Sequence, residues 1–477
     1  MFTFLGALAL LIGGYFIWGK FVEKVFGIEE NRATPACANP DGVDFVPLPW
    51  WRVFLIQFLN IAGLGPIFGA LAGAVWGPVA LLWIVFGSIF AGATHDFFSG
   101  MISLRHNGAS VSELVGMYLG NNAKQVMRVF SVVLLVLVGT VFVAGPARLL
   151  VRLTGGDIVF NTWLIIIIAY YFLATILPID QLIGRIYPLF GAALLFMAVG
   201  IGGGILFSGL PIPELTLANL HPRNLPVWPL VFITIACGAI SGFHSTQSPM
   251  MARCITSEKY GRRVFYGSMI AEGAVALVWA VAGMTFFGGT AGLAGGLAAA
   301  AGGPGGAVHQ ISIAWLGAIG GALAVLGVVA APITSGDTAF RSARLTIADA
   351  LGYSQIPIKN RLIVAIPLFA VGIYLTQIDF AIIWRYFAWS NQTLAMFMLW
   401  TAAVYLKVNG KLHWIATVPA TFMAAVTVTY ILQASEGFGL ATSISYPVGL
   451  LAAAIMLGAF LSYKPAPPMA PTAKRAA

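Results

Sequence analysis

The sequence predicts an all-α polytopic membrane protein of about thirteen transmembrane helices. Three observations carry that prediction. Of 477 residues, 59% are hydrophobic and only 9% charged, where an ordinary soluble domain carries about 25% charged residues. Apolar runs of about 20 residues, each able to cross roughly 30 Å of hydrocarbon as a helix, recur along the chain. The basic residues gather in short clusters between those runs. Despite a net charge of +9, they are therefore topology signals rather than a nucleic-acid face, and the expected surroundings are a lipid bilayer.

In order, the runs are 2–19, 53–74, 77–104, 127–152, 159–177, 188–208, 228–250, 264–287, 314–338, 361–376, 383–406, 412–433 and 446–463. The first has no basic segment before it and no small-residue cleavage site, so it reads as a retained helix. The stretch 288–313 is apolar but dominated by glycine and alanine. It reads as an extracytoplasmic loop or a partly re-entrant segment, because glycine forms helices poorly. With the N-terminus outside and the C-terminus inside, all but Arg148, Arg152, Arg223 and Arg385 of the 25 basic residues fall on cytoplasmic connections, as the positive-inside rule requires. Cys37, Cys237 and Cys254 show no paired spacing, so neither a disulfide framework nor a zinc motif is expected.

The second and seventh runs differ from the rest. One reads Asn60-Ile-Ala-Gly63-Leu-Gly65-Pro66, the other Ser241-Gly242-Phe-His244-Ser245-Thr246-Gln247-Ser248-Pro249. Glycine and proline weaken the helix at mid-membrane depth, so each run should break there. Five runs separate their starts, which gives two units of opposite orientation, the arrangement of transporters with inverted repeats and a binding site between broken helices. The implied organisation is an N-terminal helix and cytoplasmic loop (1–52), two inverted repeats (53–208 and 228–406), two C-terminal helices (412–463) and a cytoplasmic tail (464–477). Two proline-kinked structural helices are the plainer reading of the same residues.

Candidate ion-coupling residues follow from polar groups inside runs, which are costly unless paired or hydrated. Thr334, Ser335, Asp337 and Thr338 follow Pro332 and offer hard oxygen ligands to a proton or sodium ion; the plainer reading pairs Asp337 with Arg341 one turn on. His95 and Asp96 lie in the third run, where Ser88, Gly92, His95 and Ser99 share a face. As helical neighbours they point about 100° apart, so each is expected to need its own partner. Glu272 stands nine residues into the eighth run with no basic residue within a turn, a candidate proton carrier. Arg385 precedes Asn391-Gln392-Thr393 and could attract an anion or anchor the helix. No complete phosphate-loop, HExxH or GxSxG motif is present, so nothing points to an enzyme.

The stretches PWWRVFLIQFLNIAGLGPIFGALAGAVWGP, FAGATHDFFSGMISLRHNGASVSEL, GAISGFHSTQSPMMARC and FAWSNQTLA resemble the carbon starvation A family of bacterial inner-membrane transporters. The resemblance is strong from about Pro49 to Cys254 and continues through TSGDTAFRSAR to about Tyr405; against commonly longer members this chain looks like a short form. It implies peptide or pyruvate uptake when preferred carbon sources run out, with pyruvate uptake proton-coupled. It also implies a LeuT-like 5+5 core over the second to eleventh runs. Asn60, Gly63, Gly65, Ser241, His244, Ser245, Gln247, Asn391 and Gln392 would then bind substrate, and Thr334 and Ser335 would complete an ion site against the first broken helix.

The function so expected is alternating-access import of a small carboxylate, with peptide uptake, a channel or a membrane sensor as alternatives. No cofactor is expected beyond a coupling cation, a proton or sodium. Whether a metal sits near His95 or His244, and the oligomeric state, stay open at this level.

Overall fold

The computed structural model describes residues 1–177, 183–299 and 303–464, and every regular element among them is helical. The tail at 465–477 lies outside the described residues. By length and apolarity, nine of these helices can cross a membrane, or ten if the bent pair Trp50–Ile61 and Gly65–Trp76 is one span. The distribution of side chains is the inverse of a soluble protein's. Asp96, His244, Glu272 and Asp337 are buried, while Phe196, Phe207, Ile165 and Leu451 lie exposed on outer helices. That pattern suits hydrocarbon outside and polar contacts within, and the chain is a multi-pass membrane protein.

Both anticipated breaks are present. The helix Trp50–Ile61 ends at Ala62 (φ −81°, ψ 48°), and the chain resumes as wide helical turns over Gly65–Gly69. Pro66 is tolerated there because the first-turn N–H groups of a helix need no intrahelical acceptor. The two halves meet at 53°. In the seventh run, Leu230–Thr234 and Ala236–Ala239 precede two extended residues, Ile240 and Ser241, before the helix restarts as Gly242–Ala252.

The two broken segments cross in close contact. A Cβ on Gly65 would stand 2.2 Å from Cys237 Cβ, one on Gly69 2.9 Å from the Thr234 carbonyl, and one on Gly73 2.1 Å from Ile235 Cγ1. Glycines four residues apart thus make a smooth groove that takes in the 234–237 backbone, the small-residue device of membrane helix packing. This crossing brings the breaks together.

One expectation needs correction. The 288–313 stretch forms helices Thr290–Ala299 and Pro304–Val325, with 300–302 outside the described residues. Alanine and leucine carry the helix, and Gly317 (φ 59°) supplies its kink. The ninth run, read as 314–338, lies within helical chain that starts at Pro304 and ends at Leu351, of which Pro304–Leu323 is long and apolar enough to cross a membrane.

Candidate functional site

The helix Ala93–Arg105 continues wide turns over Trp83–Gly92 and lays one face along the second broken segment. Ser88 donates to the Gly238 carbonyl (3.1 Å). A Cβ on Gly92 would come within 2.2 Å of the Ala239 carbonyl oxygen, so only glycine lets the strands of backbone approach. One turn further, His95 and Asp96 meet the restarted helix.

There, four titratable side chains form a continuous buried chain. His95 Nδ1 lies 2.7 Å from Asp96 Oδ1, and the other Asp96 oxygen lies 2.9 Å from His244 Nδ1. The far nitrogen of that ring, Nε2, stands 3.3 Å from Glu272 Oε2, close enough to pair but not aligned as a hydrogen bond. All four side chains are wholly inaccessible to solvent. His95 and Asp96 therefore bond each other, against the expectation of separate partners: Nδ1 sits next to the ring's attachment point and can bend back to a neighbour. Glu272 likewise has a basic group beside it, supplied by another helix rather than by its own. Burying carboxylates is costly without such compensation.

The break at Ile240–Ser241 is held by the pair Asn391 and Gln392 on the helix Phe380–Val408. Asn391 Oδ1 accepts from the Phe243 N–H (2.6 Å) and from Ser241 Oγ (3.0 Å), while Gln392 Nε2 donates to the Ile240 carbonyl (3.0 Å). Cys237, which sequence reading passed over, joins this group through Asn391 Nδ2 (3.3 Å). The N-terminus of the second half-helix is thus capped by a side chain instead of standing open to an anion, as an Asn acceptor caps helices elsewhere.

The other anticipated substrate residues divide. Asn60 is buried with both ends of its amide unpaired, and Gln247 donates to Thr246 Oγ1 and Ser342 Oγ while its carbonyl oxygen has no partner. Ser245 bonds the Gly242 carbonyl of its own turn (2.6 Å). Gly63 and Gly65 are accounted for by packing, since a Cβ at either would strike Phe142 or Cys237. Two hollows, of about 1080 and 640 Å³, are apolar and share no residue with this polar region.

Among the ion candidates, Ser335 Oγ donates to the Leu59 carbonyl (3.0 Å), which joins its helix to the first break. Thr334 and Thr338 bond their own helix at the Ala331 and Ser335 carbonyls. Asp337 accepts from Tyr187 (2.9 Å), itself bonded to Tyr170 (3.1 Å), whereas Arg341 turns to Asp44 and the Ala174 carbonyl. The Asp337–Arg341 pairing of the plainer reading is replaced by a hydroxyl from another helix, which no sequence spacing signals. Among the described residues, no group of three or more His, Cys, Asp or Glu side chains is arranged to hold a metal ion.

The family model described as carbon starvation protein CstA matches residues 1–158 and 157–290. An uncharacterised membrane protein of Haemophilus influenzae is 45% identical over 339 residues, 60% of this chain and 91% of that protein. The peptide transporter CstA of Escherichia coli is 26% identical over 574 aligned positions, covering 92% of this chain and 81% of its own. The pyruvate/proton symporter BtsT of the same organism is 27% identical over 324 residues, 54% of this chain but only 45% of that symporter. A solved manganese transporter of Eremococcus coleocola covers 89% of the chain at 12% identity with a TM-score of 0.47, too distant to bear on the site. With more than half its length matched by one family model, all the residues of the His95–Asp96–His244–Glu272 chain included, this protein belongs to the carbon starvation protein CstA family.

Proposed function

We propose that the chain is a secondary transporter of the bacterial inner membrane that imports a small carboxylate of the pyruvate type together with a proton. The observation that carries this reading is the buried chain from His95 through Asp96 and His244 to Glu272. Its His244 lies three residues past a helix break, and the chain ties the third, seventh and eighth runs together. Imidazole can accept a proton on one nitrogen and release one from the other, and so can pass a proton between carboxylates. A relay lodged at a backbone break is suited to coupling a proton to movement of that break. The similarity to a pyruvate/proton symporter supports the same coupling.

In this reading the thirteen runs all span the bilayer. The repeats 53–208 and 228–406 form a LeuT-like 5+5 core that rocks about the crossing of Gly65–Gly73 with Thr234–Cys237. The segment 1–52, the two helices over 412–463 and the tail 464–477 lie outside that core. The N-terminus faces out. Met1 pairs with Glu214 at one end of the molecule, while Arg253, Arg341, Arg344 and Arg361 converge on Asp44 in a separate cluster, in keeping with a basic cytoplasmic side. Asn60, Ser241, His244, Gln247, Asn391 and Gln392 surround the substrate, and uptake serves growth when other carbon runs out.

A sodium ion is the second reading of the coupling cation, favoured by one contact: Ser335 Oγ against the Leu59 carbonyl at the first break. Uptake of labelled pyruvate, and separately of a dipeptide, into proteoliposomes under an imposed pH or sodium gradient tests these readings. Pyruvate accumulation driven by pH alone is the expected result. Accumulation of dipeptide only, or dependence on sodium alone, would replace the corresponding part. A unitary current without saturable uptake would make the protein a channel, and no flux of any kind would favour a sensor.

A further inference from the structure

Arg341 and Arg344 project from the helix Ala331–Leu351 one turn apart and are 4% and 1% exposed. Each spends only part of its donor fork. Arg341 Nη2 donates to the Ala174 carbonyl (2.6 Å), and Arg344 Nη1 donates to Gln355 Oε1. Arg341 Nε and Nη1 and Arg344 Nε and Nη2 are buried without a hydrogen-bond partner. Arg361 beside them contrasts, since its three nitrogens reach the carbonyls of Gln355, Ile176 and Ile356.

The carboxylate facing this pair is Asp44, whose Oδ1 stands 3.5 Å from Arg341 Nη1 and is likewise without a hydrogen bond. It is carried by a loop with its own supports. Asp41 accepts from the N–H groups of Val43, Asp44 and Phe45, Leu48 N–H donates to the Cys254 carbonyl, and Phe45 lies under Arg253. Burial would raise the Asp44 carboxyl, but Arg344, Arg341, Arg253 and Arg361 outweigh it and hold it below its ordinary value. One loosely held carboxylate therefore faces more guanidinium capacity than it uses. Buried guanidinium N–H groups left unmet are costly, and the planar fork matches a carboxylate two bonds at a time.

We propose that Arg341 and Arg344 form a binding site for a small monocarboxylate, with Asp44 as the chain's own competitor for it. A ligand carboxylate makes the paired bonds that Asp44, tethered 3.5 Å away, does not. Its arrival would free the 41–48 loop from the helix. The site is separate from the His244 region and does not depend on which substrate crosses the membrane, so failure of pyruvate uptake would leave it standing.

The test is thermal unfolding of the purified full chain at constant ionic strength, titrated with acetate, and with acetamide as the uncharged control. Acetate, not acetamide, should stabilise the protein. In Asp44→Asn the acetate midpoint should fall about tenfold, because removing an internal competitor raises the fraction of open site. Arg344→Gln should abolish the response in both backgrounds. If that variant does not fold, Arg344→Lys, which keeps the charge but loses the fork, should weaken the response about tenfold. An acetate midpoint unchanged in Asp44→Asn, a response undiminished by loss of the Arg344 fork, equal effects of acetamide, or no effect of acetate would each overturn the proposal.

Discussion

His244 Nε2 and Glu272 Oε2 stand 3.3 Å apart, both wholly buried, on helices that enter the molecule from different parts of the sequence. The opposite nitrogen of the same ring is 2.9 Å from Asp96 Oδ2. One imidazole thus faces two carboxylates, one on each ring nitrogen. The two contacts differ in kind: the Asp96 side is hydrogen-bonded, the Glu272 side is not.

That difference separates two substitutions. Asp96 holds both histidines, so Asp96→Ala should lower stability by about 3–5 kcal/mol, the usual cost of breaking a buried charge pair. Glu272→Gln removes no hydrogen bond and should leave unfolding in detergent nearly unchanged. Its effect should appear in transport, where gradient-driven accumulation falls to passive equilibration while substrate exchange continues. Wild-type accumulation by Glu272→Gln would remove the carboxyl from the relay.

Asn391 takes the Phe243 N–H at the restart of the second half-helix. Asn391→Ala should leave that donor unmet and cost about 1–3 kcal/mol, measured by unfolding. Ser241→Ala removes only a donor to the same oxygen and should cost less. Equal losses in the two variants would show that the cap is not what fixes the break.

The crossing of the broken segments predicts a suppressor. Gly65→Ala places a methyl 2.2 Å from Cys237 Cβ, and overpacking of this kind costs about 1–3 kcal/mol. Adding Cys237→Gly should recover part of the folded yield. If the double variant is no better than Gly65→Ala alone, the contact is not the limiting one.

Charge balance tests the proposed cargo. Pyruvate with one proton carries no net charge, so a potassium–valinomycin potential should scarcely change uptake. A zwitterionic dipeptide with one proton carries +1. A potential of about 100 mV would then add about 2.3 kcal/mol, roughly 1.7 decades of accumulation at about 1.4 kcal/mol per decade. An inward positive current with dipeptide, and no pyruvate uptake, would reverse the assignment.

Composition and run length were enough to determine that the chain is helical and membrane-embedded, because a bilayer admits few other uses for so many apolar residues. Glycine, proline and polar groups at Gly63–Pro66 and Ser241–Pro249 were enough to locate both breaks, since backbone weakness is a local property. Glycine misled at 288–313, where neighbouring alanine and leucine keep helices over Thr290–Ala299 and from Pro304 on. Partners were another matter. His95, Asp96, His244 and Glu272 were each visible as polar residues in apolar runs, but their single chain of contacts depends on how three helices pack. Asn391 as a cap, Tyr187 on Asp337, and Asp44 facing Arg341 and Arg344 are the same kind of fact. Hydrogen bonds act over about 3 Å, and residues separated by up to hundreds of positions come within that range only when the folded helices place them there.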